Sequence, residues 1–266
     1  MIDLQQTSGL PIYLDEEFKL HSKPPLREFA ITTARDISEM RPVLMDPNSN
    51  SLEKTYYVYR GLSLPEDEKI VRDKHLTYDV TIIPPAMLGQ ELNKTLGHYH
   101  ANLPEKTVAH PELYEVLHGG GIALLQKMDD KFQTVLDVVA IEAKVGDKII
   151  YPPNYGHIWI NTGNEPLVLA NWLSLDYKPL YKEVADFRGM NYYVIKALNK
   201  PFLFIDNPAY KDHPPIRWPK PGYSVLEELG FTATEPMYTT AVKNLEKLNF
   251  LIRPHDYEEQ LAKVIA

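Results

Sequence analysis

Between about Tyr78 and about Tyr177 the chain is a succession of short β-rich runs, among them Tyr78 to Ile83, Leu113 to Leu117, Gly121 to Gln126, Lys148 to Tyr151 and Pro166 to Leu173. Gly, Pro and Asn separate them. Closely spaced strands with turn chemistry between them predict an antiparallel sandwich or barrel. The flanks read differently. Residues 1–77 form an arm in which Asp36 to Val43 reads as a short helix and Tyr57-Val58-Tyr59 as a strand. This arm is expected beside the barrel or across a dimer interface.

After the β region, residues 179–266 form an extension. Six prolines between Pro201 and Pro221 exclude long regular elements there. Farther on, Met237, Ala241, Leu245, Leu248 and Ile252 recur at helical spacing, and Asp256 with Glu259 resembles a capping box, so the end of the chain is expected to be helical and packed. The 266 residues contain no internal repeat and read as one domain with a core at about 78–178.

Composition narrows the function classes. A formal charge of -8 argues against a nucleic-acid surface, and an anionic substrate would need a local pocket. Hydrophobic residues at 44% and charged residues at 24% fit a soluble globular chain. Met1 to Leu20 has no apolar core of signal-peptide length and no stretch approaches a membrane span, so no membrane contact and a cytoplasmic location are expected. With no cysteine, a metal site must be built from His, Asp and Glu, which favours hard or borderline metals.

Such a set is present. Gly97-His98-Tyr99-His100 places two imidazoles two residues apart, so on a strand both project from one face. Pro111-Glu112-Leu113-Tyr114-Glu115-Val116-Leu117 then runs into Gly119-Gly120-Gly121, a strand ending in a tight turn. Strand parity puts Glu112 and Tyr114 on the face of Val116 and turns Glu115 the other way, toward solvent. Glu112 is therefore the expected ligand. A third segment, Gly146 to His157, reads as a strand, a proline turn at Pro152-Pro153 and a histidine opening the next strand. His98, His100, Glu112 and His157 together would hold one divalent ion: Fe(II), Mn(II), Zn(II) or Ni(II).

The spacing of His98, His100, Glu112 and Gly119, followed by Gly146, Pro152, His157 and Asn161, resembles the paired motifs of metal-binding cupins. Two departures stand out: a longer gap between His100 and Glu112, implying a larger loop at Ala101 to His110, and Asn154 where the motif has glycine, a residue that also enters the left-handed region. Within cupins, Asn93 to His100, Pro111 to Leu117, Leu124-Leu125-Gln126 and Glu165 to Trp172 resemble the archaeal-type glucose-6-phosphate isomerases, over roughly Tyr56 to Gly189.

That resemblance implies an all-β cupin sandwich with an N-terminal arm and a partly helical C-terminal extension, in a homodimer that interconverts glucose 6-phosphate and fructose 6-phosphate, a step of glycolysis and gluconeogenesis. It implies that Thr81, Thr95 and the Gly97 amide bind the phosphate, that Tyr56 contacts substrate, and that Glu112 is the base with Tyr114 beside it. A metal-assisted hydride shift is the alternative to proton transfer. Lys94 reads as added charge near the phosphate or as a surface lysine. Beyond Trp172 the run Leu173 to Pro179 departs from the shorter archaeal members, lacking the tyrosine and histidine expected there. Ring opening is left unassigned, with Tyr181 retaining part of that site and His110 or His213 reading as surface histidines. Two other cupin functions fit the ligand set, an iron oxygenase and a non-catalytic sugar-binding protein.

Overall fold

The structure, a computed structural model, describes residues 1–49 and 51–266. Its centre is a sandwich of two sheets. Ten strands carry it: β1 (Thr33–Asp36), β2 (Lys54–Tyr59), β3 (Leu76–Ile83), β4 (Glu112–His118), β5 (Gly120–Met128), β6 (Val135–Lys144), β7 (Lys148–Tyr151), β8 (Tyr155–Asn161), β9 (Leu167–Ser174) and β10 (Ile216–Arg217). One sheet runs β7-β4-β9-β3-β2-β1, antiparallel throughout. The other runs β8-β5-β6-β10, antiparallel except for the short parallel β10. This is the expected all-β sandwich. Its large sheet reaches outside the 78–178 span, because β1 and β2 of the arm add to the edge of β3.

Register fixes which residues share a face, since directly opposed residues of an antiparallel pair project together. Glu112 opposes Tyr151, Tyr114 opposes Asn171, Asn171 opposes Asp79, and Leu169 opposes Thr81. All of these point into the sandwich. Leu113 opposes Trp172, which opposes Tyr78, and Glu115 opposes Lys148. These residues form the other face. The turn between β4 and β5 closes at Gly119 with φ of 74°, where a Cβ would stand 2.6 Å from the Pro166 carbonyl oxygen.

The C-terminal extension covers that second face. The Tyr238 ring stacks on Trp172 at 5.8 Å and meets Tyr78 edge-on at 5.1 Å. Met237 N donates to Glu115 Oε2 at 2.8 Å, and Glu115 Oε1 lies 2.7 Å from Lys148 Nζ, with both charged side chains at 3% exposure or less. Glu115 is therefore not solvated. Parity turned it away from the cavity as expected, but the extension replaces the water that a bare sheet would have met.

The ends of the chain divide between agreement and correction. Ile37–Met40 is helical and passes into a single 3-10 turn at Arg41–Val43, begun by a capping box in which Ser38 N donates to Asp36 Oδ1 and Asp36 N to Glu39 Oε2. The helical pattern from Met237 breaks at Asn244 into Met237–Lys243, Leu245–Leu248 and Asn249–Ile252. Among the described residues Asp256 makes no helix cap. Pro254 opens a 3-10 turn that takes up Asp256, and the following helix Glu258–Leu261 begins at Tyr257 without a side-chain cap. In the proline-rich stretch the longest regular element is the strand Phe202–Asp206, paired with Tyr192–Lys196.

Candidate metal centre and substrate cavity

Four side chains from three segments meet inside the sandwich. His98 and His157 face each other across a β-bridge in which His157 N donates to His98 O at 3.1 Å. His100 ends the two-residue strand Tyr99–His100, which pairs with Pro179–Leu180, and Glu112 opens β4. Glu112 Oε1 lies 3.0 Å from His100 Nε2, 3.9 Å from His98 Nε2 and 4.0 Å from His157 Nε2. The donor atoms of all four fall within 4.8 Å of one another, so the four expected ligands are brought together.

The chemistry of the donors fits a divalent cation. His100 Nδ1 is 2.7 Å from the His110 carbonyl oxygen and donates to it, which leaves the Nε2 lone pair facing the cluster. Neither His157 ring nitrogen has a hydrogen-bond partner among the described residues, although the side chain is buried. A buried imidazole so placed lacks the compensation that burial of polar atoms ordinarily requires, and a bound ion would supply it. Burial first, then the neighbouring His157 and His100, hold His98 well below its ordinary pKa. Burial likewise lowers His157 to about 4, against the pull of Glu112. Burial alone would raise Glu112, but the surrounding imidazoles, His100 foremost, hold it far below the usual carboxylate range. At neutral pH His98 and His157 are thus neutral beside the Glu112 carboxylate.

The loop from Ala101 to His110 is part of this machinery. Asn154, at φ of 67°, accepts from Ala109 N with Oδ1 and donates to the Thr107 carbonyl with Nδ2, both at 2.9 Å. Asn154 is therefore more than a residue tolerating a glycine position: it fastens the loop whose His110 carbonyl orients His100. His110 itself is buried, its Nδ1 2.7 Å from the Leu251 carbonyl oxygen. It is not a surface histidine, because the extension closes over it. His213 lies against the Asn207 carbonyl at 3.0 Å and does not line the cavity.

A cavity opens beside the cluster. Tyr56, Thr81, Thr95, Gly97 and Tyr114, all singled out from the sequence, line it. Gly97 has φ of 84°, and a Cβ there would stand 2.4 Å from Ile158 Cγ2, so the strand opposite already demands glycine. Burial, with the charge of Glu112 next, raises the Tyr114 hydroxyl well above its ordinary pKa, so it remains a donor. Lys94 lies elsewhere. It is 4% exposed, bonded to Glu91 and to the Val43 carbonyl at 3.0 Å, and is neither a surface lysine nor a phosphate contact.

The sequence reading did not find Arg35, Arg60, Asp79 and Asn171, which also line the cavity. Asp79 sits two residues before Thr81 on the same strand face, so parity carried back from Thr81 points to it. Its carboxylate accepts from Arg60 at 2.5 Å, Thr77 Oγ1 at 2.6 Å and Gly61 N at 3.0 Å. Tyr177 and Tyr181 are in the wall as well. The pairing of Pro179–Leu180 with Tyr99–His100 folds that segment back over the histidines, putting the Tyr177 ring 5.0 Å from His100 and the Tyr181 ring 5.3 Å from His98. The segment after Trp172 therefore does supply tyrosines to the site.

A family model described as "Glucose-6-phosphate isomerase (GPI)" matches residues 34–209. Proteins named glucose-6-phosphate isomerase from Pyrococcus abyssi and Thermococcus litoralis are similar. The first is 29% identical over 66% of this chain and 87% of its own, the second 26% identical over 73% and 95%. Among solved structures, oxalate decarboxylase from Bacillus subtilis aligns with TM-score 0.33 at 19% identity over 47% of this chain and 27% of that one. Vicilin from Corylus avellana aligns with TM-score 0.34 at 12% identity over 50% and 33%.

Proposed function

The chain belongs to the glucose-6-phosphate isomerase family, and on that premise we propose that it interconverts glucose 6-phosphate and fructose 6-phosphate with one divalent metal ion held by His98, His100, Glu112 and His157. The observation that carries the reading is that this four-residue cluster borders a cavity also lined by the hydrogen-bond donors Tyr56, Thr81, Thr95 and Gly97. When bound, the ion supplies charge stabilisation for the negative oxygen that develops as hydrogen moves between C1 and C2.

The residues divide the remaining work. The two oxygens of Glu112 are in different surroundings, which removes the conflict between ligand and base. Oε1 faces the three imidazoles, while Oε2 has Asn171 Nδ2 at 3.5 Å, a weak contact, and is placed to accept the C2 proton and return it at C1. Tyr114, two residues along the same face, donates to the sugar. The hydroxyls of Thr81 and Thr95 with the Gly97 amide receive the phosphate, and Tyr56 adds its hydroxyl. Tyr177 or Tyr181 takes the ring-opening role.

Glu112→Gln tests the assignment. Isomerisation of fructose 6-phosphate, followed through a coupled dehydrogenase, is expected to fall by about 10³-fold or more, within the usual reach of a positioned base. The variant should still bind metal through its three imidazoles. Activity near that of the unaltered protein would remove Glu112 from the chemistry.

A further inference from the structure

The donor end of the cavity is built for an anion, and a cation stands beside it. Tyr56 Oη accepts from Arg35 Nε at 3.2 Å and from Leu96 N at 3.4 Å. With its lone pairs engaged, its own proton is directed into the cavity. Thr95 Oγ1 accepts from Trp159 N at 3.0 Å and donates to no group among the described residues, so its proton is free for a ligand. Gly97 N donates to no group among the described residues. Donors without acceptors select a negative group over a neutral hydroxyl.

Two arginines line the cavity, and their partners decide which one is available. Arg60 faces Asp79, a carboxylate with 1% side-chain exposure that accepts three hydrogen bonds, so its charge is matched at close range by a fixed, desolvated anion. Arg35 pairs with Glu39 at 2.7 Å, but that carboxylate is 46% exposed and screened by water, whereas the Arg35 side chain is only 18% exposed. Arg35 Nη2 has no partner among the described residues. The guanidinium lies 5.8 Å from the centre of the Tyr56 ring and 5.9 Å from that of Tyr181, whose ring is 5.3 Å from His98. One wall thus runs from the metal-ligating histidine past Tyr181 and Arg35 to the Tyr56 hydroxyl. A substrate anchored at its far end would present its other end to the cluster.

We propose that Arg35 anchors the phosphate of the sugar and sets the preference for phosphorylated over free sugars. The inference rests on the isomerase reading of the same cavity and adds the cation which a chain of net charge -8 needs at an anion site.

The test uses the metal-loaded full chain with Arg35→Met and Arg35→Lys. Loss of one charge-assisted contact to phosphate predicts that Arg35→Met raises KM for fructose 6-phosphate by about 10- to 100-fold while kcat changes by less than about threefold. The inhibition constant of inorganic phosphate should rise by the same factor, and Arg35→Lys should recover part of both. Unchanged KM together with unchanged phosphate inhibition overturns the proposal, as does a fall in kcat alone, which would give Arg35 a role in the scaffold. Calorimetric binding of inorganic phosphate separates this idea from the reading beneath it. Phosphate binding lost in Arg35→Met, in a protein that isomerises nothing, keeps the anchor and discards the isomerase. An active isomerase indifferent to Arg35→Met does the reverse.

Discussion

Glu115 and Lys148 give the sharpest stability prediction. Glu115→Leu leaves Lys148 buried at 1% exposure without its carboxylate, which stands 2.7 Å away, and also deprives Met237 N of its acceptor. Breaking a buried ion pair from one side costs about 3–5 kcal/mol, and an orphaned buried amide about 1–3 kcal/mol. Some relaxation of the extension reduces the total, so about 4 kcal/mol is expected, or a drop of roughly 1–2 M in the urea midpoint. Glu115→Leu combined with Lys148→Met should recover most of that loss, leaving only the part due to Met237, because replacing both charges by apolar groups removes the uncompensated ion. The folded variants should keep their metal affinity, since Glu112 lies on the opposite face of β4. A single variant within about 1 kcal/mol of the parent, or a double variant no better than the single one, would refute the account of how the extension is fastened.

Asn154→Gly keeps the left-handed backbone but releases the loop at residues 101–110, so metal affinity should fall by about tenfold, in line with the loss of a group orienting a ligand. An affinity unchanged in metal titration would show that the loop holds His100 without Asn154. In metal-stripped protein, stability should decline as the pH drops from 6.5 toward 4. His157 is held near 4 by burial and His98 is also lowered, so in that window the unfolded chain binds protons that the folded chain does not. Unfolding at pH 7 and pH 5 checks this, with His157→Gln expected to flatten the dependence and equal stability at the two pH values contradicting it.

The pattern of legibility follows from the range of the forces involved. Strands β3, β4, β7 and β9, the short helix that follows Asp36 and the face of Glu112 were readable because each depends on neighbours a few residues away. Tertiary cover was not. Glu115, Lys94 and His110 look solvent-exposed in sequence, and all three are buried by segments distant along the chain: Met237 over Glu115, Val43 against Lys94 and Leu251 against His110. Arg35 gave no signal, because only the addition of β1 and β2 to the edge of the large sheet carries it to the cavity. Asp79 was within reach, since the parity that separated Glu112 from Glu115 also pairs it with Thr81.

The central claim is that a metal held by His98, His100, Glu112 and His157 serves phosphosugar isomerisation. The most direct measurement strips the protein of metal, reloads it with Fe(II), Mn(II), Zn(II) or Ni(II) in turn, and follows fructose 6-phosphate turnover in a coupled assay. Activity lost on stripping, restored by at least one of these ions, and absent in a reloaded protein carrying His157→Ala is the predicted result. Full activity after complete removal of metal, or none with any of the four ions, would contradict it.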